Sequence, residues 1–127
     1  MLELTLLPRR LSVCRLDRGA PLPSWAFSDP FFSVTRTAGE LSIVCDQTSV
    51  PPGVPAEDGL RAFEVAGPLD FSLTGILSSL LEPLALAEIP VFAISTHDTD
   101  YVLVRERDLP RAAAALRQKG YRVLGDR

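Results

Sequence analysis

The stretch that decides the fold is GPLDFSLTGILSSLLEPLALAEIPVFAIS, residues 67–95. It opens with small and turn-forming residues, around which the backbone bends closely. Apolar residues then recur three and four positions apart, which predicts an amphipathic helix over residues 73–88. The positions are Leu73, Ile76, Leu77, Leu80, Leu84 and Ala87. Ile89 and Pro90 end this helix, and the apolar run Val91–Ile94 predicts a strand buried on both faces.

The loop before this helix suits an anionic group. The first N–H groups of a helix lack intrahelical acceptors, and the helix dipole adds roughly half a positive charge there. Asp70 and Ser72 are also good capping residues, so the same loop is compatible with an ordinary helix start. We predict a site for a small carboxylate here, with an ordinary helix start as the alternative.

Composition narrows the class of protein. The chain has 127 residues, of which 46% are hydrophobic and 23% charged, as in ordinary folded proteins. A net charge of −3 without a basic run argues against a nucleic-acid partner. No apolar stretch reaches the roughly 20 residues of a membrane span. In MLELTLLPRR the arginines follow the apolar part, the reverse of a secretory signal, which predicts a cytoplasmic protein with Cys14 and Cys45 reduced.

The second half of the chain predicts the order β-α-β-β-α-β, the ferredoxin-like plan. The first helix is the one over residues 73–88, and the second follows Asp108 and ends at Gly120. The four predicted strands are Arg61–Ala66, Val91–Ile94, Tyr101–Arg105 and Tyr121–Leu124.

The first half repeats part of this order without long helices. Its predicted elements are the strands Leu11–Leu16, Phe31–Thr35 and Glu40–Cys45, a helical turn at Ser24–Phe27, and a proline-rich loop over Gln47–Gly59. At an offset of 60 positions, Val34 matches Ile94 and Ile43 matches Leu103. Duplication explains this match better than chance does, since the surrounding order also agrees. We therefore predict an α+β fold of two units, a degenerate one over residues 1–60 and a complete one over 61–127.

Four stretches resemble the ACT domain family, and within it the small bacterial tandem-ACT proteins related to CASTOR-type arginine sensors and aspartokinase regulatory domains. The stretches are SVCRL (Ser12–Leu16), TRTAGELSIVC (Thr35–Cys45), GPLDFSLTGIL (Gly67–Leu77) and STHDTDYVLV (Ser95–Val104). The resemblance implies two tandem ACT units that bind an amino acid between them, at the loop leading into the first helix. It also implies a homodimer formed through sheet edges or helices. We expect no attached catalytic domain, unlike in most enzymes that carry ACT domains.

The resemblance and the chemistry together define candidate ligand contacts. The amides of Thr74, Gly75 and Ile76, with the Thr74 hydroxyl, would bind a carboxylate, although Thr74 stands where many ACT domains have proline. Asp98 or Asp100 would pair with an ammonium or guanidinium group, which favours a cationic amino acid such as arginine or lysine.

Five further residues complete the candidate site. Phe71 would cover the apolar part of the ligand, and Ser95 and Thr96 lead into the acidic turn. Thr35 and Arg36 are their counterparts in the first unit, and Arg36 would reach a ligand carboxylate. A surface hairpin with cross-strand charge pairs is an equally good interpretation of Thr35 and Arg36.

Catalytic and metal chemistry are disfavoured by the residue pattern. Asp98 and Asp100 are two apart, as acid–base or cation-binding carboxylates can be, but a solvated turn explains them better. His97 is the only histidine, and the cysteines form no C-x-x-C motif. We predict no enzyme, metal or cofactor. The alternative to an amino-acid sensor is a structural interaction protein whose ligand site is vestigial.

Overall fold

The computed structural model describes residues 2–70 and 74–125. Its strands are β1 (Glu3–Leu6), β2 (Leu11–Leu16), β3 (Ser33–Arg36), β4 (Leu41–Asp46), β5 (Ala56–Val65), β6 (Phe92–Ser95), β7 (Asp100–Arg105) and β8 (Arg122–Leu124). Its α-helices are α1 (Ile76–Leu86) and α2 (Leu109–Gln118). Short 3₁₀ turns span Ser24–Phe27, Gln47–Ser49 and Glu106–Asp108.

The chain divides into two compact units. One is Arg9–Leu60, and the other combines Met1–Pro8 with Arg61–Arg127. The second unit therefore contains β1, whereas the sequence prediction placed residues 1–60 together. The physical reason is that β1 pairs antiparallel with β5, Leu4 opposite Val65, and parallel with β8. This strand is absent from the sequence prediction.

In the unit Arg9–Leu60 the strand order is β3-β4-β2-β5. Its core contains both cysteines, which are buried and unpaired. The cluster consists of Cys14, Ala26, Leu41, Ile43 and Cys45. The predicted helical turn at Ser24–Phe27 is confirmed. The predicted loop over Gln47–Gly59 is too long, because the last of its prolines is Pro55 and β5 begins at Ala56.

In the other unit the strand order is β6-β7-β5-β1-β8. Both helices pack against this sheet and enclose the larger core, whose fully buried members include Leu4, Phe63, Leu80, Leu84, Val104 and Leu116. The predicted order β-α-β-β-α-β is confirmed from β5 to β8. Gly120, with φ +103°, ends α2 as predicted, and the Tyr121 amide donates to the Leu116 carbonyl.

Helix α1 differs from its prediction at the N-terminal end. It begins at Ile76, because Gly75 adopts a left-handed conformation (φ 79°) at the N-cap; Leu73 lies outside the described residues. The helix also contains Pro83, which has no N–H to donate to the carbonyl of Ser79. The Tyr121 hydroxyl donates to that carbonyl at 3.0 Å instead, so the proline is tolerated.

The prediction that Val91–Ile94 is buried on both faces is wrong. Val91 and Phe92 are 38% and 37% exposed. The reason is topological: in the part of the chain that the structure describes, β6 pairs only with β7 and lies at the edge of the sheet. The apolar run thus belongs to an edge strand.

Candidate functional site

A cavity of about 260 Å³ lies in the unit that contains both helices. Three segments meet there: the chain after β5, the start of α1, and the turn between β6 and β7. The lining residues are Leu69, Asp70, Gly75, Ile76, Leu77, Thr96, His97, Asp98, Thr99 and Asp100.

The turn between β6 and β7 is fixed by its own hydrogen bonds. The Thr96 amide donates to the Thr99 carbonyl at 2.8 Å, and the Thr99 amide donates to the Thr96 hydroxyl at 3.2 Å. The Thr99 hydroxyl donates to the Val65 carbonyl at 2.8 Å, a buried bond that ties the turn to β5. The two threonines therefore place Asp98 in a defined position on the cavity wall.

The chain after β5 is held tightly against this turn. The Leu69 amide donates to the Asp98 carbonyl at 2.7 Å. A Cβ atom on Gly67 would lie 3.2 Å from the same carbonyl oxygen and 3.3 Å from both the Leu69 nitrogen and the Thr99 Cβ. Only glycine fits here without displacing a neighbour.

The start of α1 forms the electropositive wall. The Ser79 amide donates to the Gly75 carbonyl, the first bond of the helix, so the amides of Ile76, Leu77 and Ser78 have no intrahelical acceptor. Ile76 and Leu77 line the cavity. Amides without an intrahelical acceptor and the helix dipole together favour an anion at this wall.

The other walls of the cavity carry negatively charged groups, the carboxylates of Asp70, Asp98 and Asp100. Asp100 Oδ1 accepts a hydrogen bond from the Ser95 hydroxyl at 2.6 Å, and Asp98 Oδ1 lies 3.1 Å from His97 Nδ1. The cavity therefore combines a wall for an anionic group with carboxylates for a cationic one. A zwitterion matches this arrangement.

The uncharged side chain of Tyr101 stabilises β7, the strand that follows the turn. Its hydroxyl donates to Glu64 Oε2 at 2.9 Å. Burial, followed by the hydrogen bond to Glu64 and the charges of Glu64 and Asp98, raises the pKa of Tyr101 to about 12. The hydroxyl therefore remains protonated and keeps its bond to β5 well above neutral pH.

Five of the predicted contact residues line the cavity: Gly75, Ile76, Thr96, Asp98 and Asp100. Ser95 lies behind Asp100 and orients its carboxylate. Thr74 is exposed immediately before Gly75. Phe71 lies outside the described residues.

Thr35 and Arg36 belong to β3 in the unit Arg9–Leu60. Thr35 is exposed, and the Arg36 guanidinium donates to the carbonyls of Arg18 and Ala20. These bonds hold Arg36 against a loop of its own unit. Its contact with a ligand remains a prediction.

The sequence prediction missed five residues of the cavity wall, Leu69, Asp70, Leu77, His97 and Thr99. Asp70 and His97 were interpreted only as a capping residue and a surface residue. Asp70 lies next to a helix start and His97 lies in a short turn. These positions were the sequence signal that could have identified both residues. Leu69 and Thr99 carry no such signal, because their role depends on contacts between segments about 30 residues apart.

Within residues 2–70 and 74–125, no group of three or more His, Cys, Asp or Glu residues is placed to hold a metal ion. Neither helix of the described chain is long and apolar enough to cross a membrane.

Comparison with protein families identifies the class of protein. The ACT domain model matches residues 56–118, which include both helices and the whole cavity. A second family model, for an N-terminal domain, matches residues 10–53. Together with the relatives described next, these matches show that the chain belongs to the ACT domain family.

Two curated relatives and one solved structure are particularly similar. The human putative protein CASTOR3P is 33% identical over 81% of this chain and 72% of its own length. The bovine cytosolic arginine sensor for mTORC1 subunit 1 is 29% identical over 85% of this chain, which covers only 40% of that protein. A crystal structure from Agobacterium tumefaciens is 37% identical, with a TM-score of 0.92 over 97% of this chain and 92% of that one.

Aspartate kinases share the fold at lower identity. The Clostridium acetobutylicum enzyme superposes with a TM-score of 0.69 at 11% identity, and this chain covers 33% of it. The predicted resemblance to aspartokinase regulatory domains and arginine sensors is thereby confirmed.

Proposed function

We propose that this protein is a non-catalytic regulatory module that binds a free amino acid in the cavity at the start of α1. The observation that carries the proposal is that two helix amides without an intrahelical acceptor, at Ile76 and Leu77, line the same cavity as the carboxylates on its other walls. An α-carboxylate suits the amides, and an ammonium group suits an aspartate. The cavity, at about 260 Å³, is just below the range of roughly 300–1,000 Å³ typical of drug-sized ligands.

The charge of the walls favours an amino acid with a cationic side chain. One α-ammonium group pairs with only one of Asp98 and Asp100, which leaves the other carboxylate for a second cation such as the guanidinium of arginine or the ammonium of lysine. The names of the curated relatives support the same ligand class, since one is an arginine sensor. We propose that the protein works in the cytoplasm as a homodimer and signals to a protein target.

We also propose that the unit containing residues 9–60 is a degenerate ACT unit. Its strand order β3-β4-β2 repeats β6-β7-β5 of the other unit. The 3₁₀ turn at Ser24–Phe27 stands where α1 stands, and the loop before β5 replaces α2. Thr35 and Arg36 would then correspond to Ser95 and Thr96, and we retain them as proposed ligand contacts.

The test is a thermal unfolding screen with each of the twenty amino acids at millimolar concentration. A ligand at a hundred times its dissociation constant adds about 2.7 kcal/mol to the free energy of unfolding. For a chain of this length that raises the midpoint by roughly 10 °C. We expect arginine or lysine to raise it and the acidic amino acids to leave it unchanged.

A matched pair of variants then locates the site. Asp98→Asn removes a carboxylate from the cavity wall; a charge-assisted bond contributes about 1.5–3 kcal/mol. Because the Asp98 side chain is 70% exposed, we expect about 1 kcal/mol, or roughly fivefold weaker binding. Asp17→Asn, in an exposed loop of the other unit, is the control and should bind as the wild type does. Equal affinities of both variants would place the ligand elsewhere.

The alternative function is a structural interaction module with a vestigial cavity. The exposed apolar residues Phe92, on the edge strand β6, and Val91, just before it, favour this alternative, since edge strands pair readily with other chains. The absence of any midpoint shift in the screen would support this alternative against the sensor.

A further inference from the structure

The cavity at the start of α1 is lined by the only histidine of the chain, His97. Its Nδ1 atom lies 3.1 Å from Asp98 Oδ1, and the two side chains are 85% and 70% exposed. The hydrogen bonds between Thr96 and Thr99 fix the turn that carries both residues, so the backbone holds the imidazole and the carboxylate at the cavity wall. Asp98 is also one of the carboxylates that we assign to a cationic ligand. The imidazole and the ligand therefore share one acceptor.

The charge on His97 determines how much negative charge Asp98 offers to a cation. Histidine is the side chain whose charge ordinarily changes between pH 5 and 8. When the imidazole is neutral, the Asp98 carboxylate keeps its full charge for an ammonium or guanidinium group. When the imidazole is protonated, it neutralises that carboxylate and adds a positive charge that repels the cation of the ligand.

The other charged groups around the cavity differ from His97 in this respect. Among the described residues that line it, they are the carboxylates of Asp70 and Asp100, a class that ordinarily titrates near pH ~4. The start of α1 contributes its amides and dipole but no ionisable side chain. Behind the turn, Glu64 accepts the hydrogen bond of Tyr101, whose pKa is raised to about 12. The imidazole is therefore the side chain that changes charge here near neutral pH.

We propose that His97 couples amino-acid binding to a proton: protonation of the imidazole weakens binding of a cationic amino acid at Asp98, and binding releases that proton to the solvent. This inference rests on the proposed function, because it concerns the same cavity. The coupling is reciprocal, so the ligand weakens proton binding by the same factor as the proton weakens ligand binding. For an exposed pair of charges, that factor is about two- to fivefold. The module would thus respond to acidification as well as to the amino acid.

Isothermal titration calorimetry of the full chain with arginine and with lysine, at about pH 5.5 and about pH 8, tests the proposal. We expect the wild-type dissociation constant to be about two- to fivefold larger at the lower pH. The control variant is His97→Gln, which keeps a polar side chain but has no ionisable ring. We expect its dissociation constant to be the same at both pH values.

The heat of binding near pH ~6.5 provides an independent readout. Because the wild type releases a proton, its measured heat should depend on the ionisation enthalpy of the buffer, whereas the heat of His97→Gln should not. Asp98→Asn keeps the imidazole and removes its partner, so its affinity should depend less on pH than that of the wild type.

The outcomes separate this inference from the proposed function. Wild-type binding with the same constant at both pH values, or an equal pH dependence in the wild type and His97→Gln, would overturn the coupling and leave the proposed function standing. Failure of the wild type to bind either amino acid at the higher pH would overturn the proposed function, and the coupling with it.

Discussion

Replacement of Gly67 by alanine is expected to open the cavity at the start of α1, our proposed ligand site, by moving one of its walls. The new Cβ would stand 3.2 Å from the Asp98 carbonyl oxygen and 3.3 Å from the Leu69 nitrogen. These two atoms are joined by the 2.7 Å hydrogen bond that holds the walls together, so neither can retreat without weakening it. Ordinary contact distances are about 3.5–4.0 Å, and the backbone must yield by a few tenths of an ångström.

The expected loss of stability in Gly67→Ala follows from the kind of contact that the new Cβ makes. Overpacking costs about 1–3 kcal/mol, and three mild contacts lie at the lower end, near 1 kcal/mol. With an unfolding entropy of about 2.1 cal/mol/K per residue, this cost lowers the midpoint of thermal unfolding by about 4 °C. Differential scanning calorimetry measures the midpoint, and titration with arginine or lysine measures the accompanying loss of affinity.

The matched control is Gly19→Ala. No atom lies within 4 Å of a Cβ at Gly19, so only the reduced entropy of the unfolded chain changes, which is neutral to slightly stabilising. If Gly67→Ala unfolds at the same temperature as Gly19→Ala and binds the ligand equally well, the contact between Gly67 and the Asp98 turn does not shape the cavity.

Three further predictions concern single side chains. Thr99→Val removes the buried bond to the Val65 carbonyl and should lower the free energy of unfolding by about 1 kcal/mol in denaturant titrations; an unchanged midpoint would contradict this. Burial alone would raise the pKa of Asp46, but hydrogen bonds from Arg9 and Thr48 hold it below its ordinary value of 3.8. Asp46→Asn should therefore be less stable than the wild type at neutral pH. The difference should shrink as the pH falls below 3.8, because the carboxyl is protonated first in the unfolded chain and, at still lower pH, in the native state. Burial raises the pKa of Cys45 to about 12, so the native protein should resist thiol-labelling reagents at pH 8 and react on unfolding; rapid labelling of the native state would refute the burial.

The sequence predicted what depends on local pattern. The spacing of Leu80 and Leu84 identified α1, and the matching hairpins identified the order of strands around it. The start of α1 was predicted three residues early, because apolar spacing continues through Leu73 and does not register the positive φ of Gly75. Periodicity alone does not locate a cap.

Features that depend on pairing between strands far apart in the chain could not be predicted from one sequence. β1 was missed because its partners, β5 and β8, lie more than 50 residues away. The burial of β6 was wrong because an apolar run looks the same at the edge of a sheet as at its centre. In the cavity, Asp98 and Asp100 were candidates from the family resemblance and their chemistry, whereas Thr99 contributes through a bond to β5 that no local pattern indicates.

The most direct test of the central claim is an amide chemical-shift titration of the labelled protein with arginine and with lysine. If the cavity binds the amino acid, the amide resonances of Gly75, Ile76 and Leu77 should shift together with those of residues 96–100, and all should saturate at one dissociation constant. Shifts confined to other parts of the chain, or none with either amino acid at millimolar concentration, would contradict the account.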